Sequence, residues 1–478
     1  MPTTEPTTIA AEVAKIAGRW PTVGLAAGVI RDGALESFAA HSLADIATGC
    51  PVTEDTVFRI GSVTKTFTAI AVMQLWERGL IHLDAPAKNY LRAFRLVPAR
   101  PGWRPVTVRH LLTHTAGIRE VLHPSGLLRM RDLGETIPYG RPVPSLSEYY
   151  RGALRVDAEP GTRCMYTNHG FAALGQLIAD VTGQPLAVYL REHIFDPLGL
   201  DHTDLVRSDR VRLRTATGYE LGRRGATAIA DYELIPAGAG GLYSTPRDMA
   251  SYLAALLGGG SNAHGSILKP ETLAEMFRPQ YQPDPRIPGL GLAFFRTDLG
   301  GHPGVEHDGI LPGFDTQILL APDDGIAVMA FANGAKRGLH WLAPEAGRVM
   351  RMLLGVPDPA IRTDVAQRPD VWAELCGRYR FSAHRTDPAR FLLGAGAQVL
   401  VRRGHLLVRF SSPVPALYRG LPLHPDDPHD PYAFRIELPR FGLGSCRAVF
   451  GTGPDGVPAL HLEIGPLTFT RRRSGSIQ

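Results

Sequence analysis

Two serine–lysine pairs in the chain have the spacing for nucleophilic chemistry: Ser62–Lys65 and Ser266–Lys269. Residues three apart share one side of a helix, so each pair could set a hydroxyl beside an amine. A serine hydroxyl attacks a carbonyl only after a base takes its proton. Lysine can be that base if it loses its charge, and the positive end of a helix favours this loss. Lysine is scarce, at positions 15, 65, 88, 269 and 336 only. Pro270 pushes Lys269 out of helical conformation, so Ser266 and Lys269 should not share a helical face. Ser62 is therefore the preferred nucleophile, and its own backbone N–H can act as an oxyanion donor.

Such a nucleophile needs a second acid/base group and a second oxyanion donor. Tyr166-Thr167-Asn168 offers the first, because a tyrosine beside a lysine can pass a proton to a leaving group. The Asn168 amide both donates and accepts, so it can orient the lysine or hold a substrate amide. His307-Asp308-Gly309 offers the second. Gly309 allows close approach to the strand backbone, and the N–H of Ile310 then becomes the partner donor. His302-Pro303-Gly304 competes for this place, but a proline removes a donor and disfavours a ladder strand. His307 leads more directly into strand and is preferred.

The elements that must position these residues can be read in order. Residues 8–19 read as a helix, 22–33 as a strand, and 34–49 as its hairpin partner. Residues 58–80, FRIGSVTKTFTAIAVMQLWERGL, read as a Gly-Ser turn and a helix apolar on almost every face, which is a buried helix. Residues 106–118 read as a short helix stopped by Gly117, and 119–150 as an irregular lid or wall. Residues 237–257 read as a Gly-rich approach to a helix capped by Ser244 or Thr245. Residues 317–320 and 326–332 read as a hairpin, and 344–354 as a last helix. The composition shifts at 356–370, which reads as a linker. Short alternating runs follow at 398–402, 406–410, 434–438, 447–450, 459–464 and 467–470, the pattern of a small all-β barrel or sandwich. The domains expected are thus 1–355, catalytic, and 371–478, β-rich.

Composition excludes several classes. The 478 residues are 44% hydrophobic and 20% charged with a net charge of +5, as in an ordinary globular protein. Arg471, Arg472 and Arg473 read as a solvated end rather than a nucleic-acid or membrane patch. No run approaches the roughly 20 apolar residues of a membrane span. Cys50, Cys164, Cys376 and Cys446 form no metal or disulfide spacing and read as free thiols. With no signal-type leader in view, the expectation is cytoplasmic. His110 and His114 stand at i, i+4, but no Glu follows His110 as the zinc-protease pattern requires. No Gly-x-Ser-x-Gly elbow and no phosphate-binding Gly-Lys-Ser/Thr loop occurs.

Ser-x-x-Lys, Tyr-x-Asn and His-x-Gly occur in this order at 62–65, 166–168 and 307–309, with the flanks HLLTHTAG, EPGTRCMYTNHGFAALG, FDPLGL and GGLYSTPRDM. In this the chain resembles the serine β-lactamase/penicillin-binding-protein superfamily, in its class C-like branch, over roughly residues 8–355. The resemblance implies an α/β (α+β) catalytic domain: an antiparallel sheet flanked by helices beside a helical lobe. It implies Ser62 as the acylated nucleophile, with Lys65 and Tyr166 as the acid/base pair. Asn168, His307 and Gly309 would line the site, and the N–H groups of Ser62 and Ile310 would hold the oxyanion, with no metal or cofactor. One departure matters: His307 stands where the β-lactamases and transpeptidases of that superfamily carry lysine. An imidazole holds a substrate carboxylate less firmly than an ammonium does. This favours an esterase or D-peptidase on a small-molecule or peptide acyl substrate. A peptide-cyclising thioesterase or acyltransferase fits the same motifs, and a non-catalytic β-lactam or peptide sensor is the alternative of another class. The C-terminal β-domain is open to covering the site, binding a partner or joining two copies.

Overall fold

The computed structural model describes residues 6–122, 135–336, 339–381, 388–438, 444–453 and 456–472. At its centre is a seven-stranded antiparallel sheet built from both ends of the region before residue 355. Its order is Phe295–Asp298, Pro303–Leu311, Phe314–Ala321, Ile326–Ala332, Gly24–Arg31, Ala34–Asp45, Cys50–Pro51. The expected hairpins are both present. Gly24–Arg31 pairs with Ala34–Asp45, and Phe314–Ala321 pairs with Ile326–Ala332, with Leu319 opposite Val328. Both strands of the second hairpin are buried along their whole length, so each face of the sheet has a cover.

One face packs against the Pro6–Arg19 and Leu342–Leu354 helices. Arg19 binds Glu345 at 2.6 Å and Arg348 binds Glu12 at 2.6 Å, tying the two helices together. The other face carries the main core and the Thr64–Glu77 and Pro246–Leu257 helices. Every residue from Thr64 to Leu75 is buried, as expected of a helix apolar all round. Phe67 stacks on Tyr252 at 3.9 Å and meets Phe195 edge-on at 6.0 Å.

Three local readings are refined. Residues 58–80 are not one turn and helix. Phe58–Arg59 is a short strand paired with Tyr243–Ser244, Gly61–Val63 is a 3-10 turn, and the α-helix begins at Thr64. Arg59 pins the strand: its guanidinium lies over the Tyr232 and Tyr243 rings at 4.1 and 4.7 Å and pairs with Asp231 at 3.2 Å. Gly61 then takes φ +51°, a left-handed value that suits glycine. The 106–118 helix is shorter, Val108–Leu112, with Thr107 accepting the His110 N–H at its start. His114 lies beyond it at φ +56°, so His110 and His114 share no helical face. The 119–150 wall contains the strand Thr136–Pro138 and the helix Leu146–Tyr149; its residues 123–134 lie outside the described residues.

The C-terminal region is a nine-stranded sheet between Gly377 and Arg471 around its own core. Its edge strands, Leu421–Pro422 and His424–Pro425, flank Leu423 in the chain, so the sheet is nearly closed into a barrel. The six alternating runs fall on strands; Gly377–Phe381 is a further one, and a helix, Pro369–Leu375, starts within the expected linker. Arg286 joins the two regions, donating to Asp430 at 2.9 Å and to the Phe450 carbonyl at 2.7 Å. Ile287, Ala433 and Val449 form a small buried cluster beside it. Among the described residues no helix is long and apolar enough to cross a membrane.

Truncating Phe67 leaves a hole between Tyr252 and Phe195 that rigid neighbours cannot fill. Phe67→Ala should cost about 3–5 kcal/mol in denaturant unfolding; a loss below about 1 kcal/mol would show that the helix is not the packed centre of this region.

Candidate active site

Ser62 occupies the 3-10 turn that feeds the buried helix, and Lys65 lies one turn on, fully buried. Lys65 Nζ is 2.8 Å from each of three oxygens: Ser62 Oγ, Asn168 Oδ1 and the Ala239 carbonyl. As an ammonium it donates to all three. As an amine it donates to the two carbonyl oxygens and keeps its lone pair for the Ser62 hydroxyl proton. Burial lowers its pKa to about 8, against the opposing charges of Glu120, Glu135 and Asp308. A neutral, proton-accepting lysine is thus within reach just above neutral pH.

Tyr166 precedes the Asn168–Thr182 helix and hydrogen-bonds to Ser62. Lys65 Nζ lies 4.9 Å from the centre of its ring. Burial, with the negative charges of Asp308, Glu120 and Glu135, pushes its pKa well above the usual phenol value, although the Ser62 hydrogen bond opposes this. Tyr166 is therefore a neutral phenol, fit to relay a proton rather than to start as the base.

Asn168 is locked from three sides. Its Oδ1 faces Lys65, its Nδ2 donates to Glu135 at 3.1 Å, and its backbone N–H donates to Glu120 at 2.6 Å. Glu120, Glu135 and Ala239 were not singled out by sequence reasoning. The two glutamates sit in a wall with no motif of its own, and a backbone carbonyl leaves no mark of residue type. The one available signal for Ala239 was the small-residue run 237–241, which lets the backbone come close. A Cβ on Gly238 would stand 3.2 Å from the Phe171 carbonyl oxygen and 3.5 Å from Gly175 Cα.

Glu120, Glu135 and His169 bring ligand atoms within 4.8 Å of one another. His169 is nonetheless poorly disposed toward a metal. Its Nε2 is 2.9 Å from the Glu120 carbonyl and so carries the proton, while its Nδ1 is 3.0 Å from the Tyr150 hydroxyl. Both ring nitrogens are thereby engaged, and burial lowers the imidazole pKa to about 4.

The third motif lies on the Pro303–Leu311 strand, against the Ser62 turn. A Cβ on Gly309 would fall 2.0 Å from the Ile60 carbonyl oxygen and 3.2 Å from Ser62 N; one on Gly61 would fall 3.1 Å from Ile310 N. Two glycines thus let strand and turn meet, with the N–H groups of Ser62 and Ile310 on the facing segments. His307 lies beside Tyr166 and Phe295. It is fully buried, with its ring 5.6 Å from Phe295 and 6.5 Å from Tyr166. Its Nδ1 is 2.7 Å from the Asp308 carbonyl, and Nε2 has no hydrogen-bond partner among the described residues. Burial lowers its pKa to about 4, so it is a neutral imidazole. The rejected candidates lie elsewhere. Lys269 is extended (φ −75°, ψ 150°), and His302 pairs with Asp324 at 2.9 Å.

Ser62, Tyr166, Asn168 and Ile310 open on a cavity of about 1710 Å³ that reaches Arg435 and Glu463 of the C-terminal sheet.

The Beta-lactamase family model matches residues 13–343, and the chain belongs to that family. Over 369 residues it is 29% identical to penicillin-binding protein 4 of Amycolatopsis lactamdurans, covering 74% of this chain and 92% of that one. It is 31% identical over 304 residues to esterase EstB of Burkholderia gladioli, covering 58% and 76%. The solved structure of an octameric penicillin-binding protein homologue from Pyrococcus abyssi matches 98% of this chain and all (100%) of that one, with a TM-score of 0.63 at 23% identity. That likeness extends the shared fold across the C-terminal region.

Two outcomes follow from the geometry. If amine Lys65 is the base, kcat/KM for an ester should rise with pH and level off above about 8, with His307 neutral throughout. A pH–rate profile flat from 6 to 9 would contradict this. Gly309→Ala should force the strand off the Ile60 carbonyl and lower kcat about 100-fold, the cost of losing one oxyanion donor. Steady-state ester turnover checks it.

Proposed function

We propose that the protein is a serine hydrolase that works through an acyl-serine intermediate on ester, amide or thioester substrates. In this reading residues 1–355 are the catalytic domain, 356–370 the linker and 371–478 the β-domain. The observation that carries it is the buried Lys65 amine within hydrogen-bond distance of Ser62 Oγ, with an acidity near 8. Lys65 takes the Ser62 proton as Oγ attacks the carbonyl carbon. The carbonyl oxygen gains charge against the N–H groups of Ser62 and Ile310. Tyr166, neutral and bonded to Ser62, relays the proton to the leaving group as the tetrahedral intermediate collapses. Water, with its proton taken back along the same path, releases the acyl group.

Substrate class is argued from charge. His307 is neutral and buried, so it offers no ammonium for a substrate carboxylate. This favours esters and amides lacking a carboxylate beside the scissile bond over β-lactams. Similarity to an esterase is in keeping with this. A second reading, acyl transfer to an amine or alcohol of a peptide-sized substrate, draws support from the cavity. Its volume of about 1710 Å³ exceeds the roughly 300–1,000 Å³ of a small-ligand pocket.

Ser62→Ala should abolish turnover of a p-nitrophenyl ester, and Lys65→Ala and Tyr166→Phe should each lower kcat by about three orders of magnitude or more. A panel of that ester, a chromogenic cephalosporin, a D-amino-acid amide and a peptidyl thioester, read by product mass, separates hydrolysis from transfer. Full activity of Ser62→Ala would refute the proposal.

A further inference from the structure

His114 lies outside the chemistry described so far, yet its geometry is specific. It is buried and non-glycine, and it holds a left-handed φ of +56°, a conformation that residues with a Cβ adopt only rarely. What that backbone accomplishes can be read from three contacts. The Met165 N–H donates to the His114 carbonyl at 2.7 Å, and the Thr167 N–H donates to His114 Nδ1 at 3.2 Å. Between these two bonds, the His114 ring packs on the Tyr166 ring with centroids 4.3 Å apart. One residue therefore holds the chain on both sides of Tyr166 and supports its ring.

The helix that follows shows why an outside acceptor is needed. Thr167 is the N-cap of Asn168–Thr182, and its own hydroxyl accepts the His169 N–H. In a capping box the third helical residue would return a side chain to the N-cap N–H. Here that residue is Gly170, which has none. His114 Nδ1, from another segment, takes its place. Because Nδ1 accepts, the ring proton is on Nε2, and the ring must be neutral for the bond to exist. Burial, with Lys65 and His307 nearby, holds its pKa well below the usual imidazole value.

We propose that His114 is a positioning residue for Tyr166: its carbonyl and Nδ1 clamp residues 165 and 167, and this pair of hydrogen bonds sets the phenol against Ser62 and Lys65. It touches neither substrate nor the reacting atoms. The proposal rests on reading Tyr166 as the proton relay.

Full-length His114→Ala, His114→Asn and His114→Phe test it on the same p-nitrophenyl ester. Alanine removes both acceptor and ring, and kcat should fall about 100-fold with KM nearly unchanged, as expected for a slightly misplaced catalytic group. Asparagine puts an oxygen where Nδ1 was and tolerates the left-handed backbone, so kcat should return to within about threefold of wild type. Phenylalanine fills the space without an acceptor and should resemble alanine in kcat, with thermal melting of each variant separating loss of fold from loss of positioning. Wild-type kcat in the phenylalanine variant overturns the clamp. So does an asparagine variant that is folded and as slow as alanine, or one that cannot fold. Should alanine or phenylalanine fail to fold, the asparagine kcat decides alone. Full turnover by Tyr166→Phe would instead remove the relay reading itself.

Discussion

Everything in the candidate active site depends on one buried nitrogen. Lys65 has left water completely, and the desolvation that lowers its pKa to about 8 is what can make it a base. Left alone, a buried amine would be a liability. Here it has three oxygen partners at 2.8 Å, each delivered by a different part of the chain. Ser62 comes from its own turn, Asn168 from the start of a second helix, and Ala239 from the short glycine-rich helix Ala237–Gly240. Glu120 and Glu135 oppose the pKa depression. The result is a lysine poised near neutrality rather than one stripped of its proton at every pH.

The surrounding architecture can be understood as what keeps that nitrogen dry and its partners in place. The helix that carries Lys65 is buried from Thr64 to Leu75, so its start cannot drift. Arg59, held over two tyrosine rings, fixes the strand that enters it. Gly61 and Gly309 remove the two Cβ atoms that would otherwise hold turn and strand apart. His307 adds a neutral, buried ring beside Tyr166 and Phe295.

How far the site could be read in advance follows from how each part is encoded. Ser62 and Lys65 were legible because helical spacing and an apolar run are local signals. Tyr166 and Asn168 were legible as a motif, and the hairpins by alternation and turn residues. Glu120 and Glu135 were not, because their importance arises only when the wall meets the second helix. Ala239 acts through a carbonyl that every residue possesses. His114 was visible but misleading. Its spacing from His110 suggested one helical face, whereas the helix ends at Leu112 and the backbone turns left-handed two residues later. The 58–80 stretch read as a single turn and helix because Arg59 and Gly61 owe their conformation to distant tyrosines and a distant strand. The C-terminal strands were legible individually, but not the near-closure of their sheet, which depends on pairing across the whole region.

The central claim is that Ser62 is the atom that attacks. Its most direct test is to treat the full-length protein with a fluorophosphonate, digest it and locate the adduct by mass spectrometry. The account predicts a single adduct, on the peptide containing Ser62, forming faster as the pH is raised toward 8. An adduct on Ser266 or any other residue, with Ser62 unmodified and activity lost, would contradict it.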